Sequence, residues 1–300
     1  EAAPEALPEP APEALPEPEV AAMPEDAAAD ETEVAAEDGV ASTFVPSPGF
    51  ESSGSIIDRQ DETAVVEAGA AEAVVDDTPI KRFAASFDNP EGKPVLAIVL
   101  IDTGAAELDR AGLAALPFPV SFALDPLDPA TPDHAAIYRA AGREVVMLAS
   151  GIAQGAQASD VEVAFQSMTQ GLPEAVAVMD LAETQFQNDR PLASLVVPVV
   201  GAEGRGVLTW EKGLNAADQV ARREDIPSAM IFRDLAMGGG DAAAAQRTLD
   251  RAVFKAGQEG RVVVAGEVTP ELVAALLEWS VEGRAGAVAL APITAALQVD

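Results

Sequence analysis

Short runs of apolar residues alternate with amphipathic segments from about residue 95 to the end of the chain. The first run, VLAIVLI at 95–101, lies between Pro94 and the polar triplet at 102–104. An unbroken apolar run of this length is typical of a parallel strand that is buried on both faces. Similar runs predict seven further strands, at 119–124, 144–149, 175–179, 206–210, 228–232, 261–265 and 287–291.

The segments between these runs place apolar residues three and four positions apart, which predicts amphipathic helices. Helix start signals are present in Thr131–Pro132 and Thr269–Pro270, and glycines at 142, 171, 260 and 283 are typical of helix ends. The predicted helices span 105–116, 131–142, 159–171, 241–260 and 269–283.

Strands that alternate with helices over residues 93–300 predict an α/β fold with a parallel sheet, either open or closed toward a barrel. In both architectures, ligands bind at the carboxyl ends of the strands. The residues at those ends are therefore candidates for a site: Asp102, Asp125, Leu148, Asp180, Thr209, Asp234 and Glu267.

Residues 1–92 differ in composition from the remainder of the chain. They contain 23 acidic and three basic residues, 11 of the 23 prolines, and the near-repeat PEALPEP at 4–10 and 12–18. Such a segment repels itself and has too little aliphatic bulk to offset the entropy of ordering. We interpret residues 1–92 as a disordered acidic tether and 93–300 as the folded domain.

Charge and composition exclude several classes of function. A net charge of −32 leaves no basic stripe for phosphates, so we expect no nucleic-acid partner. The chain has no cysteine, which excludes thiolate chemistry and Cys-type metal sites, and its single histidine, His134, excludes a site with two imidazoles in one chain.

No apolar run approaches the length of about 18 residues that crosses a bilayer. The chain begins at Glu1 within a Pro/Ala/Glu-rich stretch, a start that is consistent with removal of a signal peptide or anchor. An arbitrary boundary explains it nearly as well. We expect contact with a membrane only through such a missing N-terminal anchor.

Several polar and aromatic residues have two interpretations. Asp102 is either a site carboxylate or the cap of a helix beginning near Ala105, and Asp234 is either a site carboxylate or a solvated loop acid. For His134, helix capping is the favoured explanation. A flexible loop is favoured over an anion site at 238–240, and core packing over sugar stacking at Trp210.

The order of several sequence blocks is characteristic of one family. AIVLIDTG at 97–104 is followed by GREVVMLAS at 142–150, PEAVAVMDLAETQF at 173–186 and VVVAGEVTPELVAAL at 262–276. Over residues 94–298 the chain resembles the divergent polysaccharide deacetylases, bacterial envelope proteins related to metal-dependent carbohydrate esterases. The resemblance implies an irregular (β/α) barrel, carbohydrate metabolism and a periplasmic or envelope location.

Family order also implies a helix over residues 189–203. Pro198 lies inside this segment, and LVVPVV has the pattern of a strand. We therefore expect a broken helix or an irregular segment there.

The same resemblance indicates which site positions this chain has kept. The family's Asp-Asp pair falls on Ile101 and Asp102, so that only the second Asp, the implied metal ligand, is present. The two implied histidine ligands fall on Leu148 and Leu181. The remaining motif positions fall on Thr209–Trp210 and Gly266–Glu267–Val268, and Asp234 alone matches a late carboxylate.

These substitutions favour a catalytically degenerate domain that acts as a binding or scaffolding module. Its expected partner is a glycan or an envelope protein, and no cofactor is expected. Asp102 and Asp234 are the candidates for any catalytic role, and the candidate ligand-binding residues are Asp102, Asp180, Glu183, Trp210, Asp234 and Glu267.

Two alternatives stay open. One is an active deacetylase whose divalent metal binds a rebuilt carboxylate site at Asp102, Asp180, Glu183 and Asp234, through the oxygen ligands that hard cations prefer. The other is that the acidic tether is itself the functional part and the domain merely caps it.

Overall fold

The computed structural model describes residues 77–235, 242–282 and 284–297. Residues 1–92 are interpreted above as a disordered tether. Residues 1–76 of this segment lie outside the described ranges. The proposed flexible loop at 238–240 also lies outside them.

Seven parallel strands close into a barrel. Closure follows from the pairing of the first strand with both the second and the seventh. An eighth strand pairs in parallel with residues 95–97 of the first. The strands are β1 Val95–Asp102, β2 Ser121–Leu124, β3 Glu144–Leu148, β4 Ala177–Met179, β5 Gly206–Trp210, β6 Ser228–Asp234, β7 Arg261–Glu267 and β8 Ala289–Ala291. The predicted α/β fold and its (β/α) barrel form are confirmed.

Most of the helices follow a strand and pack on the outside of the barrel. They are α1 Pro79–Arg82, α2 Arg110–Ala114, α3 Thr131–Ala140, α4 Ala158–Gly171, α5 Arg190–Ala202, α6 Ala216–Arg223, α7 Ala242–Glu259 and α8 Pro270–Glu282, with 3₁₀ turns at Arg284–Ala287 and Ile293–Ala295. The sequence pattern did not predict α1 or α6. Among the described residues, no helix combines the length and apolar character needed to cross a bilayer.

Helix α5 corrects the expectation of a broken or irregular segment at 189–203. It is one helix with Pro198 inside it. Its apolar face is buried, and Pro198 removes only the backbone hydrogen bond that an N–H at this position would donate to the carbonyl of residue 194. Burial of that face therefore outweighs the one missing hydrogen bond.

The core has an inner and an outer layer. Along β1, small or β-branched side chains such as Ala97 and Val99 point into the barrel, whereas Leu96, Ile98 and Leu100 pack against the helices. This alternation explains why the strand reads as an unbroken apolar run, since both of its faces are buried.

Ordered contacts begin upstream of Lys93, the expected start of the domain. The Ala85 backbone N–H donates to the buried Glu144 carboxylate at 2.8 Å, and the Thr294 N–H donates to it at 3.0 Å. Ile80 and Phe83 pack against the inner core layer. Segments before β1 and after β8 are thus both attached to the amino-terminal end of the barrel.

Candidate functional site

Asp102 is the last residue of β1 and is almost fully buried. Arg110 binds both carboxylate oxygens, with Nε to Oδ2 at 2.7 Å and Nη2 to Oδ1 at 2.9 Å. The Tyr138 hydroxyl donates to Oδ2 at 2.8 Å, and the Gly104 N–H donates to Oδ1 at 2.9 Å. Each carboxylate oxygen therefore accepts two hydrogen bonds from the protein.

These partners determine the charge state of Asp102. Burial by itself would raise the pKa of this carboxyl, but the hydrogen bonds from Arg110, Gly104 and Tyr138 outweigh burial and hold the pKa below its usual range. Burial, together with the bond to Asp102, raises the pKa of the Tyr138 hydroxyl, which therefore acts as a donor. The group is an ion pair supported by a neutral phenol.

Local structure explains how the two partners reach Asp102. The Asp109 side chain caps α2 by accepting the Gly112 N–H at 2.9 Å, so this helix begins at Arg110 and not near Ala105. Tyr138 lies on the buried face of α3, with its ring stacked on Phe122 at a centroid distance of 3.8 Å. The interpretation of Asp102 as a helix cap is wrong, because its carboxylate accepts the N–H of a turn residue and not that of a helix.

Sequence reasoning did not identify Arg110 or Tyr138. The helical pattern of 131–142 could have placed Tyr138 on the buried face, since Ala135 and Tyr138 are three positions apart. No pattern in the sequence signals that Arg110 turns inward, because an arginine at the start of a helix is ordinarily solvated.

Asp180, directly after β4, is also fully buried, but its carboxylate accepts hydrogen bonds only from backbone donors among the described residues. Its Oδ1 accepts the N–H groups of Leu181 and Gln185, and its Oδ2 accepts that of Gln187, each at 2.9 Å. The Phe186 N–H lies 3.3 Å from both oxygens. The carboxylate therefore holds the loop 181–187 in place, and burial raises its pKa in spite of these bonds.

The same loop is bonded to the end of β5. Gln187 accepts the Trp210 N–H at 2.6 Å and donates to the carbonyls of Trp210 and Lys212 at 3.0 and 2.9 Å. The Trp210 indole donates to the Asp180 carbonyl at 3.0 Å, and the residue is 1% exposed. The structure thus places Trp210 in the barrel interior and offers no open ring face to a sugar.

The carboxylates after β2 also support loop structure. Asp125 accepts the Leu127 N–H at 2.9 Å and the Ser150 hydroxyl, and Asp128 accepts the Ala130 N–H at 2.9 Å. A Cβ at Gly104, where φ is +80°, would lie 2.7 Å from an oxygen of Asp128. The positive φ therefore favours glycine in the turn after β1, and an added Cβ would also require the Asp128 carboxylate to shift.

The hydrogen-bond partners of the Asp102 carboxylate in the described structure include none of the other predicted site residues. Glu183 and Glu267 are exposed, and Asp234 is partly buried at the end of β6. Thr209 is buried and accepts the Asn215 side-chain amide at 2.8 Å. Leu148 packs against the inner core layer, and His134 is partly buried in the first turn of α3.

The resemblance implies a divalent metal, and the residues present do not fit one. Within the described ranges, no three His, Cys, Asp or Glu side chains converge in a way that could hold an ion. The Arg110 guanidinium donates hydrogen bonds to both carboxylate oxygens of Asp102, and leucines occupy positions 148 and 181. Residues 102, 180, 183 and 234 do not form a shared carboxylate site in this arrangement.

Comparison with known proteins identifies one family. The profile described as divergent polysaccharide deacetylase matches residues 98–297. No protein with a curated description matches the chain. An uncharacterized protein from Agrobacterium tumefaciens C58 has a similar structure, with a TM-score of 0.65 and 16% sequence identity over 73% of this chain and 94% of that one. The catalytic domain of peptidoglycan N-acetylglucosamine deacetylase from Eubacterium rectale ATCC 33656 gives a TM-score of 0.44 and 14% identity, over 72% and 95% respectively.

Proposed function

The chain belongs to the divergent polysaccharide deacetylase family, and from this premise we propose that it is a catalytically inactive member that serves as a binding or scaffolding module in the cell envelope. Its partner in this proposal is a glycan or another envelope protein. The observation that carries the proposal is the pairing of Asp102 with Arg110.

Metal-dependent deacetylation needs a divalent ion that acidifies water and polarises an amide, with an acid and a base close by. Asp102 is the family-matched ligand, and Arg110 already neutralises it within the barrel mouth. An ion approaching Asp102 would meet the charge of a guanidinium. Displacing Arg110 would leave a buried cation without its partner, which is costly.

The remaining ligand positions support the same conclusion. Leu148 and Leu181 cannot donate a lone pair to a metal, and both stand where the family resemblance implies histidine. Asp180 is the carboxylate best placed by sequence to replace them, but its oxygens accept backbone N–H groups of its own loop. Because Asp180 is engaged in this way, it is poorly suited to bind a metal, which weakens the alternative of a rebuilt carboxylate site.

Elemental metal analysis of the full chain, purified without chelator, tests this proposal together with an activity assay. We expect no stoichiometric metal, and no hydrolysis of acetylated amino-sugar oligomers when Zn²⁺, Co²⁺ or Mn²⁺ is added. Asp102→Asn tests the family-matched carboxylate, and Asp133→Asn, an exposed acid of α3, is its matched control. Stoichiometric metal with turnover that Asp102→Asn abolishes and Asp133→Asn retains would establish an enzyme instead.

The binding role has a separate test. Isothermal titration of the full chain with the same acetylated oligomers, in the presence of EDTA, measures association without metal-dependent turnover. Saturable heat is expected if the partner is a glycan. If heat is absent, the glycan assignment is wrong and an envelope protein is the remaining partner in the proposal.

A further inference from the structure

The outer wall of β6 is open between α6 and α7. Met230 and Phe232 form the floor of a groove of about 130 Å³, with Arg222 on the α6 side and Lys255 on the α7 side. A neighbouring recess of about 520 Å³ shares Phe232 and Lys255 with this groove and adds Arg251, Phe254 and Arg284. We call the two together the β6 groove.

The β6 groove exposes large apolar side chains. Met230 is 38% exposed and Phe254 is 66% exposed, although residues of their size are usually more buried in a folded domain. Phe232 lies beneath two cations, with the Arg233 guanidinium 4.3 Å and the Lys255 ammonium 5.0 Å from its ring centroid. The groove thus combines apolar contact area with positive charge.

Its charge is opposite to that of the rest of the domain. Residues 93–300 contain 15 cations and 27 acids. Six of those cations, but only four of the acids, line the groove or lie over Phe232: Arg222, Arg233, Arg251, Lys255, Arg261 and Arg284, with Glu211, Asp218, Asp250 and Glu259. The groove thus has more cations than acids, six against four, in a domain where acids outnumber cations.

The two ends of the groove differ in how their cations are paired. Near β5, Glu211 pairs with Arg233 and Lys255, both at 3.2 Å, and Asp218 pairs with Arg222 at 3.0 Å. At the recess, Arg251 and Arg284 are exposed, and neither has an acidic partner in the described structure. Phe254 lies in the same recess, so an apolar anchor and available positive charge are adjacent.

We propose that the β6 groove binds an acidic polypeptide segment that carries an aliphatic or aromatic anchor residue. Charge complementarity selects this partner, because acidic side chains would pair with Arg251 and Arg284 while the anchor contacts Phe254 and the Met230–Phe232 floor. The net charge of −32 opposes every anionic partner. It opposes a nucleic acid, which carries a charge on each phosphate, more strongly than a segment with a few acidic side chains.

This inference is independent of the state of Asp102. The groove lies on the outside of the barrel wall, whereas Asp102 lies at the end of β1 and is almost fully buried. An active or an inactive domain could use the groove equally well. If the metal and hydrolysis experiment contradicts the proposed function, the inference about the β6 groove is unaffected. If the peptide does not bind the groove, the proposed function is likewise unaffected.

A fluorescence titration tests the proposal on the full chain. The probe is a labelled synthetic peptide of glutamates around a Leu-Leu pair, and its companion is an all-glutamate peptide of the same length. We expect saturable binding of the first peptide. Arg251→Glu should weaken it about tenfold, since it places like charge against the ligand, and Arg190→Glu, an exposed arginine at the start of α5, should have far less effect.

Phe254→Ser tests the apolar part. It should weaken binding of the Leu-Leu peptide and leave the weaker all-glutamate peptide unchanged, because only the first peptide has an anchor. Urea unfolding of each variant controls for folding. Because the substituted positions are exposed, the free energy of unfolding of each variant should be close to that of the wild type. Equal effects of Arg251→Glu and Arg190→Glu, or no saturable binding, would overturn the proposal, as would loss of affinity for both peptides in Phe254→Ser.

Discussion

Asp102 and Asp180 are two buried aspartates that follow strands of the same barrel, yet their environments have opposite effects on ionisation. Asp102 is paired with Arg110, and its pKa lies below the usual range. The Asp180 carboxylate has only backbone N–H groups as partners among the described residues, and burial raises its pKa. Four backbone dipoles hold a loop in place, but they do not replace a full charge inside a barrel.

The comparison separates two structural roles that look alike in the sequence. Asp102 joins β1 to α2 and α3 through side chains, whereas Asp180 fixes only the backbone of the loop that follows it. The first role depends on the identity of a distant residue, and the second depends on loop geometry. Substitutions at Arg110 and at Asp180 therefore alter one role at a time.

Arg110→Met should have the largest effect. It removes the counter-charge of a buried carboxylate, and breaking such a pair costs about 4 kcal/mol of unfolding free energy at neutral pH. Urea unfolding measures this loss. Arg190→Met, at an exposed arginine, should change stability by no more than about 0.5 kcal/mol. Similar losses in both variants would show that the Asp102–Arg110 pair contributes little.

Asp180→Ala should have the next largest effect, about 3 kcal/mol, because it leaves the buried N–H groups of the 181–187 loop without their acceptor. Asp189→Ala is the matched control. Asp189 is exposed and accepts a single helix N–H, that of Leu192, so its loss should cost about 1 kcal/mol. Amide hydrogen exchange should show lost protection at Phe186 and Gln187 in the first variant only.

The opposite pKa shifts predict opposite pH dependences. A carboxyl with a lowered pKa stabilises the fold above the unfolded pKa of about 3.9, and this contribution is lost as pH falls through the folded pKa. The stability loss from Asp102→Asn should therefore grow as pH rises from about 3 to about 6.

For Asp180 the sign reverses, because its folded pKa is raised. Its contribution is present below the unfolded pKa and is lost as pH rises through the folded pKa. The stability loss from Asp180→Asn should therefore shrink over the same pH range. Unfolding curves of both variants and the wild type at several pH values measure the stability loss as a function of pH. Slopes of the same sign for Asp102→Asn and Asp180→Asn would contradict the opposite pKa shifts.

The sequence predicted the fold better than it predicted the surroundings of the site. Apolar runs located all eight strands, since strands buried on both faces leave a continuous signal that does not depend on distant residues. Helix α6 was missed because it has only eight residues, and α5 was misjudged because Pro198 is a strong local signal that burial overrides.

The roles of the strand-end residues depend on partners that the sequence does not reveal. Asp102 was identified as a key position, but the inward turn of Arg110 and the reach of Tyr138 across 36 residues are tertiary facts. For Trp210 the sequence favours core packing over sugar stacking, but it does not reveal that the indole N–H donates to the Asp180 carbonyl. Local pattern thus marks the end of a strand without showing what the side chain there contacts.

Tyr138→Phe should have the smallest effect and is the most specific probe of Asp102. It removes one hydroxyl, while the ring that stacks on Phe122 stays in place. Asp102 keeps Arg110 and Gly104, so its charge remains compensated, and the loss should be about 1 kcal/mol. The hydroxyl is one of the groups that lower the pKa of Asp102. In Tyr138→Phe, the fall in unfolding free energy at acid pH should therefore begin at a higher pH than in the wild type. Tyr138→Phe should cost less stability in an Asp102→Asn background than in the wild type, because the charged acceptor of the hydroxyl is gone. An equal cost in both backgrounds would show that the hydroxyl acts through something other than Asp102.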